Sequence, residues 1–402
     1  MDIFLPKSQL KSSKKLHIES SKSETNRLLL LQALFPEIKL ENYSTSDDSV
    51  LMQKALQSQQ EVIDIQHAGT AMRFLTAFFA IQEGRKTILT GSSRMKERPI
   101  KILVDALREL GAEINYLEKE GFPPLEIIGK KLEKKEVSLL ANTSSQYISA
   151  LALIGSYLTN GLKINLIGKY TSLPYIYMTL ALLNQIGVKT SFVDNQITIK
   201  KEKAVTPQTI TIEPDWSAAS YFYSLIAQSK VGTSLFLSYF KENSLQGDRK
   251  TAEIYHFFGV ETIFHPEGIE IIKKNEVKST FFSLEMSDTP DIAQTIAVTC
   301  VGLGLECHLT GLHTLKIKET DRLLALQNEL QKLGQIVKTT ENEIFIKPQK
   351  LIENIEIETY NDHRMAMSFA TLCTKIPIII KDKEVVSKSY PNFWEDLAQI
   401  LE

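Results

Sequence analysis

Apolar residues recur at helical spacing (i, i+3, i+4) in eleven segments of the chain, and short β-like runs lie between several of them. Helices are predicted over residues 27–34, 70–82, 99–110, 145–158, 174–186, 217–227, 248–258, 291–301, 321–333, 364–373 and 391–401. Strands are predicted at 86–90, 162–167, 209–213 and 376–380. A glycine follows four of these helices, at positions 111, 187, 259 and 334, as is typical of a helix C-terminus. The pattern therefore predicts an α/β protein.

The polar stretches at the helix starts recur at a nearly constant spacing. One series has steps of 75, 71, 75 and 72 residues: Gly69, Ser144, Asp215, Pro290 and Asp362. A second series has steps of 74, 74, 73 and 71 residues: Arg98, Ser172, Gln246, Glu319 and Tyr390. A fixed period of this length indicates a repeated unit with two helices and several strands. Because helix N-termini attract anions, these starts favour phosphorylated or carboxylated ligands.

Composition narrows the class of protein. The 402 residues are 43% hydrophobic and 23% charged, which is ordinary for a soluble globular protein. A net charge of −2 argues against a general nucleic-acid partner. The longest largely apolar run, 147–158, is too short to cross a bilayer, and no signal-peptide pattern opens the chain. Three cysteines without a CxxC pair favour a reduced cytoplasm.

Several charged motifs allow two interpretations when each is taken alone. Lys22, Ser23 and Arg27 would present an ammonium, a hydroxyl and a guanidinium to a phosphate near a helix start. The alternative is a helix capped by Ser23 with two solvated cations. The runs at 94–99 and 318–323 are by themselves typical of exposed charged surface.

The common cofactor and hydrolase motifs are missing from the sequence. GxGxxG, GxxxxGK[ST], HExxH and GxSxG do not occur, so nucleotide, zinc-peptidase and serine-hydrolase functions lose their usual support. His308 and His313 have only Cys307 as a further soft ligand nearby. We therefore expect no metal and no cofactor.

Six motifs, taken together and in order, closely resemble the EPSP synthase family of enolpyruvyl transferases: SKS (21–23), AGTAMR (68–73), RMKERP (94–99), SSQ (144–146), KETDR (318–322) and NDHRMA (361–366). The resemblance runs from about residue 10 to the carboxyl end. It implies a two-domain inside-out α/β barrel of six βαβαββ repeats, three in each domain. The implied domains are residues 19–212 and residues 1–18 with 213–402, with the active site in the cleft between them.

The resemblance also implies a reaction and its substrates. The family transfers the carboxyvinyl group of phosphoenolpyruvate to the 5-hydroxyl of shikimate 3-phosphate and releases phosphate, in chorismate and aromatic amino acid biosynthesis. Together the two substrates carry roughly six negative charges, so a cluster of fixed cations is expected. The herbicide glyphosate occupies the phosphoenolpyruvate site in this family. A cytoplasmic monomer without nucleic-acid or membrane partners is expected.

The resemblance assigns site residues position by position. Ten are expected to contact shikimate 3-phosphate: Lys22, Ser23, Arg27, Ser144, Ser145, Gln146, Ser172, Tyr175, Asp291 and Lys318. Seven are expected to contact phosphoenolpyruvate: Lys22, Gly69, Arg98, Gln146, Arg322, Arg364 and Lys388. Asp291 is the expected base toward the hydroxyl and Glu319 the expected proton carrier at the methylene. Lys22 and Lys388 are expected to assist near the leaving phosphate, within one coupled group.

The sequence departs from the family pattern at four places, and two other functions stay open. Glu19-Ser20 replaces the usual Pro-Gly, His67 an Asn, Phe74 a Pro, and Thr314 an Asn that often contacts shikimate 3-phosphate. One alternative is UDP-N-acetylglucosamine 1-carboxyvinyltransferase, which commonly has a reactive Cys where this chain has residues 96–99. The other is a non-catalytic repeat protein that binds anions.

Overall fold

The chain divides into two compact units. A computed structural model describes residues 1–140, 144–168 and 170–402. One unit, here called the inserted unit, comprises Ser21–Ile212. The other, here called the terminal unit, comprises Met1–Ser20 and Glu213–Glu402. Each unit has its own cluster of buried apolar side chains, so each has its own hydrophobic core.

The described residues form helices and strands that are interspersed along the chain. The strands are β1 (Ile3–Leu5), β2 (Lys14–Leu16), β3 (Ile38–Glu41), β4 (Val62–Asp64), β5 (Lys86–Thr90), β6 (Glu113–Tyr116), β7 (Leu125–Ile128), β8 (Glu136–Leu140), β9 (Leu162–Ile167), β10 (Thr190–Val193), β11 (Gln196–Ile199), β12 (Gln208–Thr211), β13 (Ser234–Ser238), β14 (Val260–His265), β15 (Gly268–Lys273), β16 (Phe281–Glu285), β17 (Glu306–Thr310), β18 (Ile336–Thr339), β19 (Ile344–Lys347), β20 (Ile355–Ile357) and β21 (Ile378–Ile380). The α-helices are α1 (Lys22–Leu34), α2 (Asp47–Gln57), α3 (Gly69–Ala80), α4 (Ser93–Lys96), α5 (Lys101–Leu110), α6 (Ser145–Gly155), α7 (Leu173–Gln185), α8 (Trp216–Ala227), α9 (Thr251–Phe257), α10 (Ala293–Gly302), α11 (Arg322–Lys332), α12 (His363–Ala370) and α13 (Phe393–Ile400). Short 3-10 segments lie at Gly247–Lys250, Pro290–Ile292, His313–Ile317, Thr371–Thr374 and Lys383–Lys388.

Four sheets share one strand order, which is the structural counterpart of the sequence period. In each, a strand pairs in parallel with an edge strand on one side and antiparallel with a hairpin on the other. The inserted unit contains β4-β5-β7-β6 and β8-β9-β11-β10, and the terminal unit contains β2-β13-β15-β14 and β16-β17-β19-β18. The smaller sheets are β3-β12 and β20-β21-β1. The predicted α/β class is therefore confirmed.

All eleven predicted helices are present, although several begin at a different residue from the one predicted. The first helix begins at Lys22, because the side chain of Ser21 accepts a hydrogen bond from the backbone N–H of Glu24 at 3.4 Å. The alternative that Ser23 caps this helix is therefore wrong, and Ser23 lies in its first turn. The glycines predicted to end four helices all have positive φ, at 110°, 98°, 77° and 86° in chain order.

Two α-helices in the described part of the chain escaped prediction, α2 and the four-residue α4. Helix α2 buries only four of its eleven residues, so its apolar stripe is too narrow to stand out in the sequence. Helix α3 is buried along its whole length, which explains its apolar composition. Among the described residues, no helix combines the length and apolarity that a bilayer span requires.

Candidate active site

Arg322 is the centre of an ion-pair network in the terminal unit. It is the first residue of α11, where Asp321 caps the helix by accepting from the Leu324 N–H at 3.1 Å. Its side chain is only 2% exposed. The guanidinium contacts three carboxylates, listed with their shortest distances: Asp291 at 3.2 Å, Glu319 at 2.8 Å and Asp362 at 2.6 Å. Because every partner is buried or nearly so, these contacts fix Arg322 in one orientation.

Asp291 lies among three cations of this network. It follows Pro290 in the 3-10 segment that leads into α10. Besides Arg322, it pairs with Lys318 at 3.4 Å and with Arg364 at 3.3 Å. Burial alone would raise the pKa of this carboxyl, but Arg364, Lys318 and Arg322 outweigh burial and hold the pKa well below its usual range. Asp291 is therefore a carboxylate at neutral pH.

Glu319 links Lys388, the remaining predicted cation of this unit, to the network. Its second carboxylate oxygen pairs with Lys388 at 3.0 Å, and Lys388 ends the 3-10 segment Lys383–Lys388. Both side chains are largely buried, at 12% and 5% exposure. The network thus unites all six residues that the sequence assigns to the site in this unit: Asp291, Lys318, Glu319, Arg322, Arg364 and Lys388.

Two buried acids near this network were not assigned from the sequence. Asp362 pairs with Arg322 and caps α12 by accepting from the Arg364 N–H at 2.9 Å. Its position within the NDHRMA motif was the available signal. Asp248 is 2% exposed and accepts a hydrogen bond from Ser217. Burial, and after it the charge of Asp291, raises the pKa of Asp248 to about 7.

Lys22 has a buried partner in the inserted unit. Its ammonium lies 3.4 Å from a carboxylate oxygen of Asp48, which is 2% exposed. Asp48 stands in the first turn of α2, where a carboxylate also interacts favourably with the helix dipole. No local sequence pattern indicated this pair, because α2 itself was not predicted.

Arg27 is used inside the inserted unit. It is 2% exposed, and it donates to Thr179 at 2.8 Å, to Ser149 at 3.1 Å and to the Ser23 carbonyl at 2.8 Å. A weaker contact reaches the Tyr175 carbonyl at 3.4 Å. Burial lowers the pKa of Arg27 to about 10, so the guanidinium stays charged. These bonds join α1, α6 and α7, and any role in ligand binding is additional to this one.

Gly69 and Arg98 are close neighbours in the inserted unit. A β-carbon added to Gly69 would lie 2.5 Å from the Nη1 atom of Arg98, so only glycine leaves room for this guanidinium. Arg98 is 8% exposed. Within the RMKERP run, Arg94 and Lys96 instead form surface pairs with Glu97 and Glu118. The interpretation of this run as exposed surface is therefore wrong for Arg98.

The backbone beside Arg98 is held by two side chains. Arg73 donates to the Pro99 carbonyl at 3.0 Å and to the Gly69 carbonyl at 3.1 Å. The Tyr147 hydroxyl donates to the same Pro99 carbonyl at 2.6 Å. These bonds tie the start of α3 to the segment that carries Arg98.

The remaining predicted residues lie at two helix starts of the inserted unit. Ser144 caps α6 and accepts from the Gln146 N–H at 3.3 Å, while Ser145 is buried. The Gln146 amide donates to Thr70 at 3.1 Å, which joins α6 to α3. Ser172 precedes α7 with φ at 54°, and Tyr175 lies in the first turn of α7.

Sequence comparisons decide the family. A family model described as EPSP synthase (3-phosphoshikimate 1-carboxyvinyltransferase) matches residues 52–397. A 3-phosphoshikimate 1-carboxyvinyltransferase of Bacteroides fragilis strain YCH46 is 45% identical over 397 residues, covering 98% of this chain and 96% of the relative. The same-named protein of Haemophilus influenzae strain PittGG is 34% identical over 419 residues, covering 96% of each chain. This chain belongs to the EPSP synthase family.

Solved structures of EPSP synthases have the same fold. An EPSP synthase from Acinetobacter baumannii aligns with a TM-score of 0.78 at 20% identity, covering 100% of this chain and 99% of that one. A second structure of the enzyme from that organism gives a TM-score of 0.75, also at 20% identity. At such identity the likeness concerns the fold, and it agrees with the architecture expected for an EPSP synthase.

Two of the departures from the EPSP synthase pattern, His67 and Phe74, make contacts that suit their surroundings. His67 lies 3.7 Å from Asp47, so a histidine at this place can pair across to α2. Phe74 is fully buried, and the Arg27 guanidinium lies over its ring at 5.4 Å. Thr314 is 7% exposed, and its hydroxyl has no hydrogen-bond partner among the residues that the structure describes.

Metal-binding geometry is not evident in the part of the chain that the structure describes. There, no group of three His, Cys, Asp or Glu side chains is arranged to hold an ion. The three cysteines, Cys300, Cys307 and Cys373, are buried free thiols. Burial raises the pKa of Cys373 to about 12, so it is a poor nucleophile. Whether the protein works without a metal stays a prediction.

Proposed function

We propose that this protein transfers the carboxyvinyl group of phosphoenolpyruvate to the 5-hydroxyl of shikimate 3-phosphate and releases phosphate. The observation that carries the proposal is the network around Arg322, where two candidate acid–base carboxylates, Asp291 and Glu319, are each paired with buried cations. A protein that only bound anions would need the cations but not the carboxylates. Membership of the EPSP synthase family supports the same reaction.

The cations of the network are suited to substrates with several negative charges. Lys318, Arg322, Arg364 and Lys388 are paired with Asp291, Glu319 and Asp362. Four positive charges thus face three negative ones, and a bound phosphate or carboxylate would redress the excess. Because these side chains are held by one another, they need little reorganisation when an anion binds.

Asp291 is assigned the removal of the 5-hydroxyl proton. Its low pKa makes it a weak base, although an ionised carboxylate is the form that accepts a proton. Substrate anions that pair with Arg364, Lys318 and Arg322 would cancel part of the positive charge around Asp291. The pKa of Asp291 would then rise, and its strength as a base with it.

Glu319 is assigned the proton that reaches the methylene carbon of phosphoenolpyruvate. Addition of the 5-oxygen to the neighbouring carbon then gives a tetrahedral ketal. Loss of phosphate from this ketal, with loss of a methyl proton, completes the transfer. Lys388 lies 3.0 Å from Glu319, and this contact supports its proposed role in sharing a proton with that carboxylate and assisting the leaving phosphate.

Residues of the inserted unit are assigned further substrate contacts, in addition to those of the terminal unit. Gly69, Arg98, Gln146 and Lys22 are proposed to bind phosphoenolpyruvate together with Arg322, Arg364 and Lys388. The contacts to shikimate 3-phosphate are proposed for Lys22, Ser23, Arg27, Ser144, Ser145, Gln146, Ser172, Tyr175, Asp291 and Lys318. The Gly69–Arg98 contact supports the first assignment, because it presents a buried guanidinium beside the backbone of a helix start.

One assay tests the proposal directly. Purified protein is given phosphoenolpyruvate with either shikimate 3-phosphate or UDP-N-acetylglucosamine, and released phosphate is measured. Phosphate release is expected when shikimate 3-phosphate is the acceptor and not when UDP-N-acetylglucosamine is. Turnover with UDP-N-acetylglucosamine alone would contradict the proposal and favour the related carboxyvinyltransferase. A protein that binds phosphate but releases none from either pair would be a non-catalytic anion binder.

We also propose that the enzyme acts as a monomer in the cytoplasm. The three cysteines are buried free thiols, which suits a reducing compartment. Light scattering on the purified protein measures its mass in solution. A mass near 45.4 kDa is expected, and a dimer mass would contradict the monomer.

A further inference from the structure

Glu329 is a buried carboxylate that the reaction does not use. It lies on α11, seven residues after Arg322, and is fully buried. Two helical turns separate the two residues, so both project from the same side of the helix. Arg322 enters the ion-pair network, whereas Glu329 serves a different segment of the chain.

That segment is the turn that leads from β20 to α12. One oxygen of Glu329 accepts from the Glu358 N–H at 3.0 Å, and the other accepts from the Tyr360 hydroxyl at 2.6 Å. Lys332 pairs with the same carboxylate at 2.8 Å. Burial and the neighbouring Glu329 raise the pKa of Tyr360 to about 12, so the phenol keeps its proton and donates it.

The turn is one that the chain would not hold by itself. Tyr360 and Asn361 have φ of 54° and 55°, so two successive residues with β-carbons adopt the left-handed conformation. Such backbone persists only where surrounding contacts determine it, and it is found most often at functional sites. The bonds from Glu329 supply such contacts directly before Asp362.

Asp362 transmits the position of this turn to the site. It accepts from the Arg364 N–H at 2.9 Å and pairs with Arg322 at 2.6 Å. A shift of the turn would therefore move the start of α12 and the Arg364 side chain with it. We propose that Glu329 and the Tyr360 hydroxyl are positioning residues that hold Asp362 and Arg364 in the geometry that binds the phosphoenolpyruvate anion. This inference rests on the proposed function, in which Arg364 contacts phosphoenolpyruvate.

The variant Tyr360→Phe tests the inference with the smallest change. It removes one hydroxyl and leaves Glu329 with the Glu358 N–H and Lys332 as donors. The KM for phosphoenolpyruvate is expected to rise about ten-fold with kcat within about two-fold, the scale of losing an outer contact that orients a ligand-binding group. Tyr239→Phe is the matched control, because Tyr239 lies in the same unit, also has positive φ (67°) and is 61% exposed.

A double variant separates positioning from a general structural effect. If Tyr360 acts through Arg364, adding Tyr360→Phe to Arg364→Lys should raise KM by less than about two-fold over Arg364→Lys alone. A further ten-fold rise in the double variant would overturn the inference. So would an unchanged KM in Tyr360→Phe, and so would an equal loss in Tyr239→Phe. Asn361→Gly keeps the hydrogen bond and relaxes the turn, so a smaller rise in KM of about three-fold is expected.

Calorimetric titration with inorganic phosphate supplies a readout that does not need turnover. Tyr360→Phe should bind phosphate about ten-fold more weakly than the unaltered protein, and equal affinity would overturn the inference. Failure of the proposed function has a different signature, since the unaltered protein and Tyr239→Phe would then both lack turnover with phosphoenolpyruvate and shikimate 3-phosphate. Thermal unfolding of each variant shows whether a loss comes from unfolding. If Tyr360→Phe is unfolded, Asn361→Gly decides, and an unchanged KM for phosphoenolpyruvate in that variant would then overturn the inference.

Discussion

Replacing Gly69 by alanine should displace Arg98. The new β-carbon would lie 2.5 Å from Nη1 of Arg98, and 3.0 Å from both Cζ and Nη2. Ordinary contact needs about 3.5 Å, so the guanidinium must move by roughly 1 Å. The backbone next to it cannot move as easily, because Arg73 and Tyr147 both donate to the Pro99 carbonyl. The side chain of Arg98 therefore absorbs the shift.

A displacement of this size has a definite cost. A misplacement of 1 Å at a positioning group costs up to about 100-fold. We expect the KM for phosphoenolpyruvate to rise about 10- to 100-fold, which corresponds to roughly 1.4 to 2.8 kcal/mol of binding free energy. The KM for shikimate 3-phosphate should change by less than about three-fold, because Arg98 is not among its assigned contacts. Initial rates of phosphate release, measured with each substrate varied in turn while the other is saturating, give both constants.

The control for Gly69→Ala is the same substitution in an Arg98→Lys background. Lysine lacks the guanidinium that the new methyl would strike, so the substitution should have little further effect there. In Gly69→Ala, the binding of glyphosate should be weakened more than the binding of phosphoenolpyruvate, because glyphosate is longer. The ratio of the inhibition constant of glyphosate to the KM for phosphoenolpyruvate should therefore rise. An unchanged KM in Gly69→Ala, or an equal effect in both backgrounds, would refute the reasoning.

Three further substitutions test the terminal unit. Asp291→Asn should lower kcat by about 100-fold or more, the scale of one lost acid–base group, while calorimetry still detects shikimate 3-phosphate binding. Glu319→Gln should do the same, and near-native turnover in either variant would remove that residue from the mechanism. Asp248 has a folded-state pKa of about 7 against an ordinary 3.8, so its neutral form stabilises the fold at low pH and this stabilisation is lost as pH rises toward 7. The melting temperature of Asp248→Asn relative to that of the unaltered protein should therefore rise as the pH is raised from 5 to 8. A difference in melting temperature that does not change with pH would contradict this.

The residues of the network around Arg322 can be selected from the sequence only when the motifs are considered together. Taken alone, the KETDR run is typical of an exposed helix start, yet Arg322 is 2% exposed. Its partners Asp291 and Asp362 lie 31 and 40 residues away, so no local spacing rule reveals them. The family resemblance supplies this information because the motifs carry the long-range contacts implicitly.

Buried carboxylates were the main residues that the sequence did not reveal. Asp48, Asp248 and Glu329 are each almost fully buried, but acidic residues are mostly exposed, and nothing beside them in the sequence marks these as exceptions. Each depends on a donor that the fold brings from elsewhere: Lys22, Ser217 and Tyr360. The helix α2 was missed for a related reason, since its apolar stripe is narrow.

The pairing of the two ends of the chain has a consequence for synthesis on the ribosome. Strand β1 pairs with β21, and Leu10 bridges to Leu401, so residues 3–10 find these partners only after residues 378–401 have been synthesised. At about 5–20 residues per second, the wait between Ile3 and Ile380 is on the order of 20 to 75 s. The inserted unit, by contrast, is continuous in sequence and complete by residue 212. Nascent chains should therefore contain one folded unit while β1 and β2 still lack a finished terminal unit to join.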